Sequence, residues 1–142
     1  MNDSYNLQRF VDAQSPEFES VCAQLRNGRK TGCWMWFVFP QFRGLGSTYM
    51  SRRFAISSQA EAEAYMLHPI LGPRLRECAA LVTAIRGSSV REIFGSPDDL
   101  KFRSCMTLFS HATPDNQVFL DALKKYFQGE FDALTLKLLS AP

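Results

Sequence analysis

The chain has 142 residues, of which 46% are hydrophobic and 13% aromatic, and its net charge at pH 7 is +2. This length suits one domain with a sizeable core, and the composition excludes a disordered chain. The longest apolar run, residues 34–39, is far shorter than a membrane helix requires, and no signal peptide is visible at the N-terminus. We therefore expect a single cytoplasmic domain over residues 1–142 with no membrane partner.

The four cysteines, Cys22, Cys33, Cys78 and Cys105, are widely spaced and form no C-x-x-C pair. This spacing suits neither a zinc site nor a disulfide framework, so we predict no metal, no disulfide and no cofactor. Cys22, Cys78 and Cys105 fall on apolar helical stripes and are predicted to be small buried hydrophobes.

Helix start and stop signals recur along the chain. Ser15, Ser96 and Thr113 each stand before a proline, which is the order of an N-cap and a first helical residue. Ser58-x-x-Glu61 and Ser89-x-x-Glu92 match capping boxes, and glycines 28, 87 and 129 follow apolar periodic segments. Helices are predicted over about 7–14, 16–27, 58–67, 70–86, 89–94, 97–111, 114–128 and 134–139.

The apolar run at residues 34–39 carries both tryptophans, Trp34 and Trp36, and ends at Pro40. A segment that is apolar on every side has no solvent face, so it is predicted to lie in the middle of the core. No partner strand is evident, which favours a short buried helical turn or an irregular extended segment. The prediction is an all-α bundle of about seven helices around this Trp-rich segment.

Charge is distributed unevenly. No acidic residue lies between Glu19 and Glu61, a segment that holds six lysines and arginines, whereas the remainder carries 10 basic and 14 acidic residues, a net charge of −4. Aromatic residues are interleaved with these cations, a pattern seen at nucleotide and nucleic-acid contacts. We favour the simpler interpretation of core aromatics and solubilising arginines, and nucleic-acid contact stays open as an alternative.

Directly after the apolar run comes Gly44-x-Gly46-Ser47-Thr48. Its N–H groups are candidates for an anion-binding nest, with Arg43 and Arg52 adding positive charge. The spacing matches neither a P-loop nor a dinucleotide-binding fingerprint. The alternative is an ordinary turn that needs positive φ at its glycines.

Four ordered motifs resemble the bacterial family catalogued as domain of unknown function 1810, which is sometimes labelled calpastatin without physical support from these residues. The resemblance covers residues 7–139 and implies a single all-α domain with no established activity. The sequence departs from the family pattern at Cys33, where histidine is common, and at Gly32 and Cys105, where serine is usual. The motifs are Trp34-Met35-Trp36-Phe37-x-Phe39-Pro40-Gln41, Gly44-Leu45-Gly46, His68-Pro69-x-Leu71-Gly72-x-Arg74-Leu75 and Ile93-Phe94-Gly95-x-x-Asp98-x-x-Lys101-x-x-Ser104-x-Met106-Thr107-Leu108-Phe109.

Catalytic candidates are few. His68 has the chemistry of an acid–base group, although a histidine before a proline more often caps a helix. Asp98, Lys101 and Ser104 are spaced i, i+3 and i+6, so they share one helix face that either lines a polar pocket or carries a surface ion pair. A Cys33–His68–Asp98 triad has no supporting signature.

Two function classes follow. The first is a protein that binds a phosphate-bearing or nucleotide-like small molecule, either as a binding protein or as an enzyme with His68, Asp98 and Lys101 as its catalytic candidates. The second is a non-catalytic protein–protein interaction module. A ligand site predicts an open, aromatic-lined cavity beside Gly44, whereas an interaction module predicts that this space is filled. The predicted ligand-binding residues are Trp34, Trp36, Gln41, Arg43, Gly44, Gly46, Ser47, Arg52 and Ser104.

Overall fold

The computed structural model describes residues 3–141, and this part of the chain contains ten α-helices and no β-strand. The all-α prediction is confirmed. The helices are α1 (Gln8–Gln14), α2 (Phe18–Arg26), α3 (Met35–Val38), α4 (Tyr49–Arg53), α5 (Gln59–Leu67), α6 (Leu71–Ala84), α7 (Val90–Phe94), α8 (Asp98–Ser110), α9 (Gln117–Phe127) and α10 (Ala133–Leu139).

The predicted count of about seven helices was wrong. The helix that sequence analysis missed is α4, and α3 was left undecided between a helical turn and an extended segment. These two helices have five and four residues, which is too short for a hydrophobic period to show. The Thr48 side chain caps α4 by accepting a hydrogen bond from the Ser51 backbone N–H at 3.1 Å.

The start signals differ in how they work. Ser89 and Glu92 form a complete capping box. At Ser58 only half of the box forms, because the Glu61 carboxylate accepts hydrogen bonds from Ser57 and Arg9 instead. At the three proline starts the predicted capping residue does not cap. Those helices begin at residues 18, 98 and 117, which is two, one and three residues later than the proline signals indicate, and no side chain caps them.

The core centres on α8, which is buried from Ser104 to Ser110 and packs against α5, α7, α9 and α10. Edge-to-face aromatic pairs connect neighbouring segments to this core. One such pair is Phe39, directly after α3, with Phe102 of α8, whose ring centroids are 5.1 Å apart. The Trp-rich segment is part of the core rather than its centre. Trp34 is 1% exposed, but Trp36 is only half-buried, so the prediction that the run has no solvent face was wrong at Trp36.

The segment between α3 and α5 folds back on itself. Phe42 pairs with Ile56 in an isolated parallel bridge, in which the Arg43 N–H donates to the Ile56 carbonyl and the Ile56 N–H donates to the Gln41 carbonyl, both at 2.9 Å. This pairing closes a loop that contains residues 43–48 and α4. Arg43 and Arg52 therefore lie on the same closed loop.

Within residues 3–141, no helix combines the length and apolar character that crossing a membrane requires.

Candidate functional site

A cavity of about 180 Å³ opens beside Gly44, between α3, the loop at residues 41–46, α4 and one side chain of α8. We call it the Gly44 cavity. It is lined by Met35, Trp36, Phe39, Gln41, Phe42, Arg43, Gly44, Gly46, Ser51, Arg52, Phe54, Ala55 and Lys101.

Aromatic side chains form much of the cavity wall. Phe39, Phe42 and Phe54 are buried core residues that also line the cavity, and half-buried Trp36 lies among the lining residues. Such rings offer large apolar faces on which a flat ligand group can stack.

Three cations line the same cavity, namely Arg43, Arg52 and Lys101, and among residues 3–141 no carboxylate lines it. In the described part of the chain, neither arginine is in an ion pair. Their guanidinium groups are therefore available to an anion, and no nearby acid in the lining offsets their field.

Lys101 belongs to a small charge network. The Asp98 carboxylate forms ion pairs with two lysines: its Oδ2 lies 2.9 Å from Lys30 Nζ, and its Oδ1 lies 3.4 Å from Lys101 Nζ. The three side chains are 12–25% exposed. The Lys30 Nζ lies 5.5 Å from the Trp34 ring centroid, and the Lys101 Nζ lies 5.9 Å from that of Trp36. Two lysines against one carboxylate leave a net positive charge, and the shared carboxylate holds Lys101 beside the Trp36 ring.

The loop requires glycine at positions 44 and 46 for two different physical reasons. Gly44 has φ of +93°, a conformation that L side chains rarely adopt. Gly46 has no positive φ, but a Cβ there would lie 2.6 Å from both Cβ and Oγ of Ser51. Gly46 is therefore required by the close approach of the loop to α4, a reason that does not depend on a ligand.

Comparisons with known proteins bear on the whole chain. The sequence model of the family described as "Protein of unknown function (DUF1810)" matches residues 4–139. The chain belongs to this family.

The DUF1810 chain is also similar to a solved structure, the crystal structure at 1.38 Å of the conserved hypothetical protein Rv1873 from Mycobacterium tuberculosis. The two are 54% identical, the match covers 99% of this chain and 100% of that one, and the TM-score is 0.97. A comparison with curated proteins gives no match. The family and the fold are thus shown, and no activity comes with them.

Six of the nine predicted ligand-binding residues of this DUF1810 chain line the Gly44 cavity, as does Lys101. Trp34, Ser47 and Ser104 do not. Trp34 is buried, and its indole N–H donates to the Gln24 side-chain oxygen at 2.8 Å. Ser47 is exposed, and Ser104 lines a neighbouring groove, where its hydroxyl lies 3.1 Å from Asp132 Oδ2.

The remaining catalytic candidates are held in structural roles. His68 Nδ1 accepts hydrogen bonds from the Ile70 and Leu71 backbone N–H groups at 3.1 and 3.2 Å, so it caps the start of α6. Asp98 is engaged by the two lysines. Within the described residues, no hydrogen bond joins Cys33, His68 and Asp98 to one another, and the geometry gives a triad no support.

Met35, Ser51 and Ala55 line the cavity but were not predicted from the sequence. Phe39, Phe42 and Phe54 belong to the aromatic residues between Glu19 and Glu61, for which a purely structural role was favoured. Thr48 was a usable signal, because threonine is a favoured N-cap residue and so predicts that a helical turn can begin there. Such a turn would have brought Ser51 back against the glycine loop.

Proposed function

We propose that this protein binds a phosphate-bearing small molecule in the Gly44 cavity. The observation that carries the proposal is the open, aromatic-lined space beside Gly44, which has three cations and no carboxylate in its lining. The interaction-module alternative predicts that this space is filled. The proposed activity is binding: of the catalytic candidates only Lys101 lines the cavity, and it is paired with Asp98.

Different lining residues suit different chemical parts of a ligand. Arg43 and Arg52 present planar guanidinium groups, which match phosphate oxygens bidentately, and Lys101 adds a point charge. The Trp36 ring offers a stacking face to a sugar or base. Ligand sites for whole drug-sized molecules run from about 300 Å³. A cavity of about 180 Å³ therefore suits a phosphate with a small attached group rather than a complete dinucleotide.

The direct test is titration of the protein with inorganic phosphate and with a mononucleotide, followed by tryptophan fluorescence and calorimetry. Saturable quenching is expected, and Trp36→Phe should remove most of the signal while calorimetry still detects binding, because Trp34 is buried away from the cavity. Added salt should weaken binding, since the attraction of exposed charges is screened.

Arg52→Ala should weaken binding about 10- to 100-fold, because a hydrogen bond to a charged group contributes about 1.5–3 kcal/mol. Arg53→Ala is the matched control: it removes the same charge from the next position of α4, and Arg53 does not line the cavity. Equal losses in the two variants would mean that only net charge matters. If no phosphate-bearing molecule changes fluorescence or heat, the binding function is wrong and the interaction-module alternative takes its place.

A further inference from the structure

A second depression adjoins the Gly44 cavity. It has a volume of about 540 Å³ and shares the lining residues Gln41 and Lys101 with the cavity, so these two side chains border both spaces. A ligand that occupies both spaces has to pass these side chains. We call it the Leu134 groove; its other lining residues are Leu45, Pro97, Leu100, Arg103, Ser104, Asp132 and Leu134.

Two leucines line the groove while remaining open to solvent. Leu100 is 56% exposed and Leu134 is 49% exposed, and they come from α8 and α10. Exposed leucines scattered singly are ordinary, but two in one groove that continues from a cavity form an apolar surface for a ligand group. Covering them with a flat ring removes apolar area from water and so favours binding.

The groove also has a polar part, built around Asp132. One carboxylate oxygen, Oδ2, accepts hydrogen bonds from the Ser104 hydroxyl and the Thr135 backbone N–H, both at 3.1 Å, and from the Thr135 hydroxyl. The other oxygen, Oδ1, accepts no hydrogen bond from residues 3–141, and it is accessible to solvent rather than buried. An oriented carboxylate with a free acceptor oxygen suits sugar hydroxyls, which acidic residues bind in nucleotide sites.

Charge separates the two spaces. The described lining of the Gly44 cavity has three cations and no acid, whereas the groove lining has one acid, Asp132, together with Arg103 and the shared Lys101. The groove's own Arg103 is occupied, because it lies 3.3 Å from the Glu130 carboxylate and donates to the Glu130 and Phe131 carbonyls. An anionic group is therefore favoured in the cavity, and a neutral, hydroxyl-bearing group with an apolar face is favoured in the groove.

We infer that the ligand is a nucleoside monophosphate bound across both spaces. Its phosphate lies in the Gly44 cavity, its ribose hydroxyls donate to Asp132, and its base covers Leu100 and Leu134. This inference rests on the proposed function and adds to it the nucleoside and the residues that select it.

The test is calorimetric titration of the full chain with inorganic phosphate, ribose 5-phosphate and AMP at constant ionic strength. Affinity should rise in that order, and AMP should bind at least about tenfold more tightly than phosphate. Leu134→Ser should weaken AMP about fivefold and leave phosphate unchanged, because only the apolar contact is lost. Leu67→Ser is the matched control, since Leu67 is 85% exposed and lines neither space.

Asp132→Asn separates the sugar from the base. Asparagine retains an oxygen that can cap Thr135, so folding is preserved, but the position of the free oxygen is then occupied by an NH2 group, which cannot accept a hydrogen bond from a hydroxyl. In this variant, the affinity for ribose 5-phosphate should exceed that for phosphate by a smaller factor than in the wild type. The inference is overturned if AMP binds no more tightly than phosphate, or if Leu134→Ser behaves like Leu67→Ser. If phosphate binds but AMP binds no more tightly, only the inference about the Leu134 groove is refuted. If none of the three probes binds, the proposed function is refuted as well.

Discussion

Replacing Gly46 with alanine tests how the loop is held against α4. A Cβ at Gly46 would lie 2.6 Å from Ser51 Cβ and Oγ, and ordinary contact begins at 3.4 Å, so the two must separate by at least 0.8 Å (3.4 minus 2.6 Å). A rotamer change moves the Ser51 Oγ but leaves its Cβ in place. The backbone of the loop or of α4 must therefore shift.

Overpacking of this kind typically costs about 1–3 kcal/mol. For a chain of this size that corresponds to a fall in Tm of roughly 3–10 °C. Because Ser51 and Arg52 are neighbours on α4 and both line the Gly44 cavity, the same shift should also weaken phosphate binding. The helical circular dichroism spectrum should be retained, since the three atoms nearest to the added Cβ all belong to Ser51 of the short helix α4.

The double variant Gly46→Ala/Ser51→Gly supplies the decisive comparison. Removing the Ser51 Cβ eliminates the clashing atom, although glycine in a helix costs about 0.5–1 kcal/mol by itself. Urea denaturation of the wild type, both single variants and the double variant should give a favourable coupling energy of at least about 0.5 kcal/mol. The packing argument is wrong if Gly46→Ala is as stable as the wild type, or if Ser51→Gly adds its full cost to that of Gly46→Ala.

Two further predictions concern stability. Arg9→Met should destabilise the protein by about 3 kcal/mol in urea denaturation, because Glu61, which is 2% exposed, loses the charge that lies 3.0 Å away. Arg9→Met combined with Glu61→Gln should recover part of the loss, and an unaltered midpoint in the single variant would contradict this. Gln24→Leu should cost about 1–3 kcal/mol, because the Trp34 indole N–H loses its acceptor. Gln24→Glu retains an acceptor and should be clearly more stable than Gln24→Leu; equal midpoints would refute the role of this hydrogen bond.

Helical class could be predicted from the sequence because start and stop signals are local. The Ser89 box needs only four consecutive residues, and it forms as predicted. The Glu61 box needs the same four positions, yet Arg9, 52 residues away in the chain, and Ser57 engage the carboxylate. A local signal therefore predicts where a helix begins, but a distant side chain decides whether the predicted hydrogen bond is made.

Much of the candidate site was also accessible to sequence reasoning, because the loop and α4 are one contiguous segment. Trp36, Gln41, Arg43 and Arg52 lie within 17 residues of one another and line one cavity. Lys101 and Ser104 were predicted to share a helix face that either lines a polar pocket or carries a surface ion pair, but the position of that face beside the loop and the Leu134 groove were not accessible in this way. That position depends on how α8 and α10 pack, and no sequence spacing reports that packing.

The clearest division is at the two tryptophans. Composition and charge identified their segment as apolar, aromatic and set among cations, and these are properties of the sequence alone. Whether both indoles share one environment depends on the backbone. In a helical turn, residues two apart point about 200° away from each other, so Trp34 lies in the core while Trp36 lines the cavity. Residues 3–141 contain no strand that could pair the backbone groups of an extended segment, whereas a helical turn pairs its own, so the tertiary structure favours the turn.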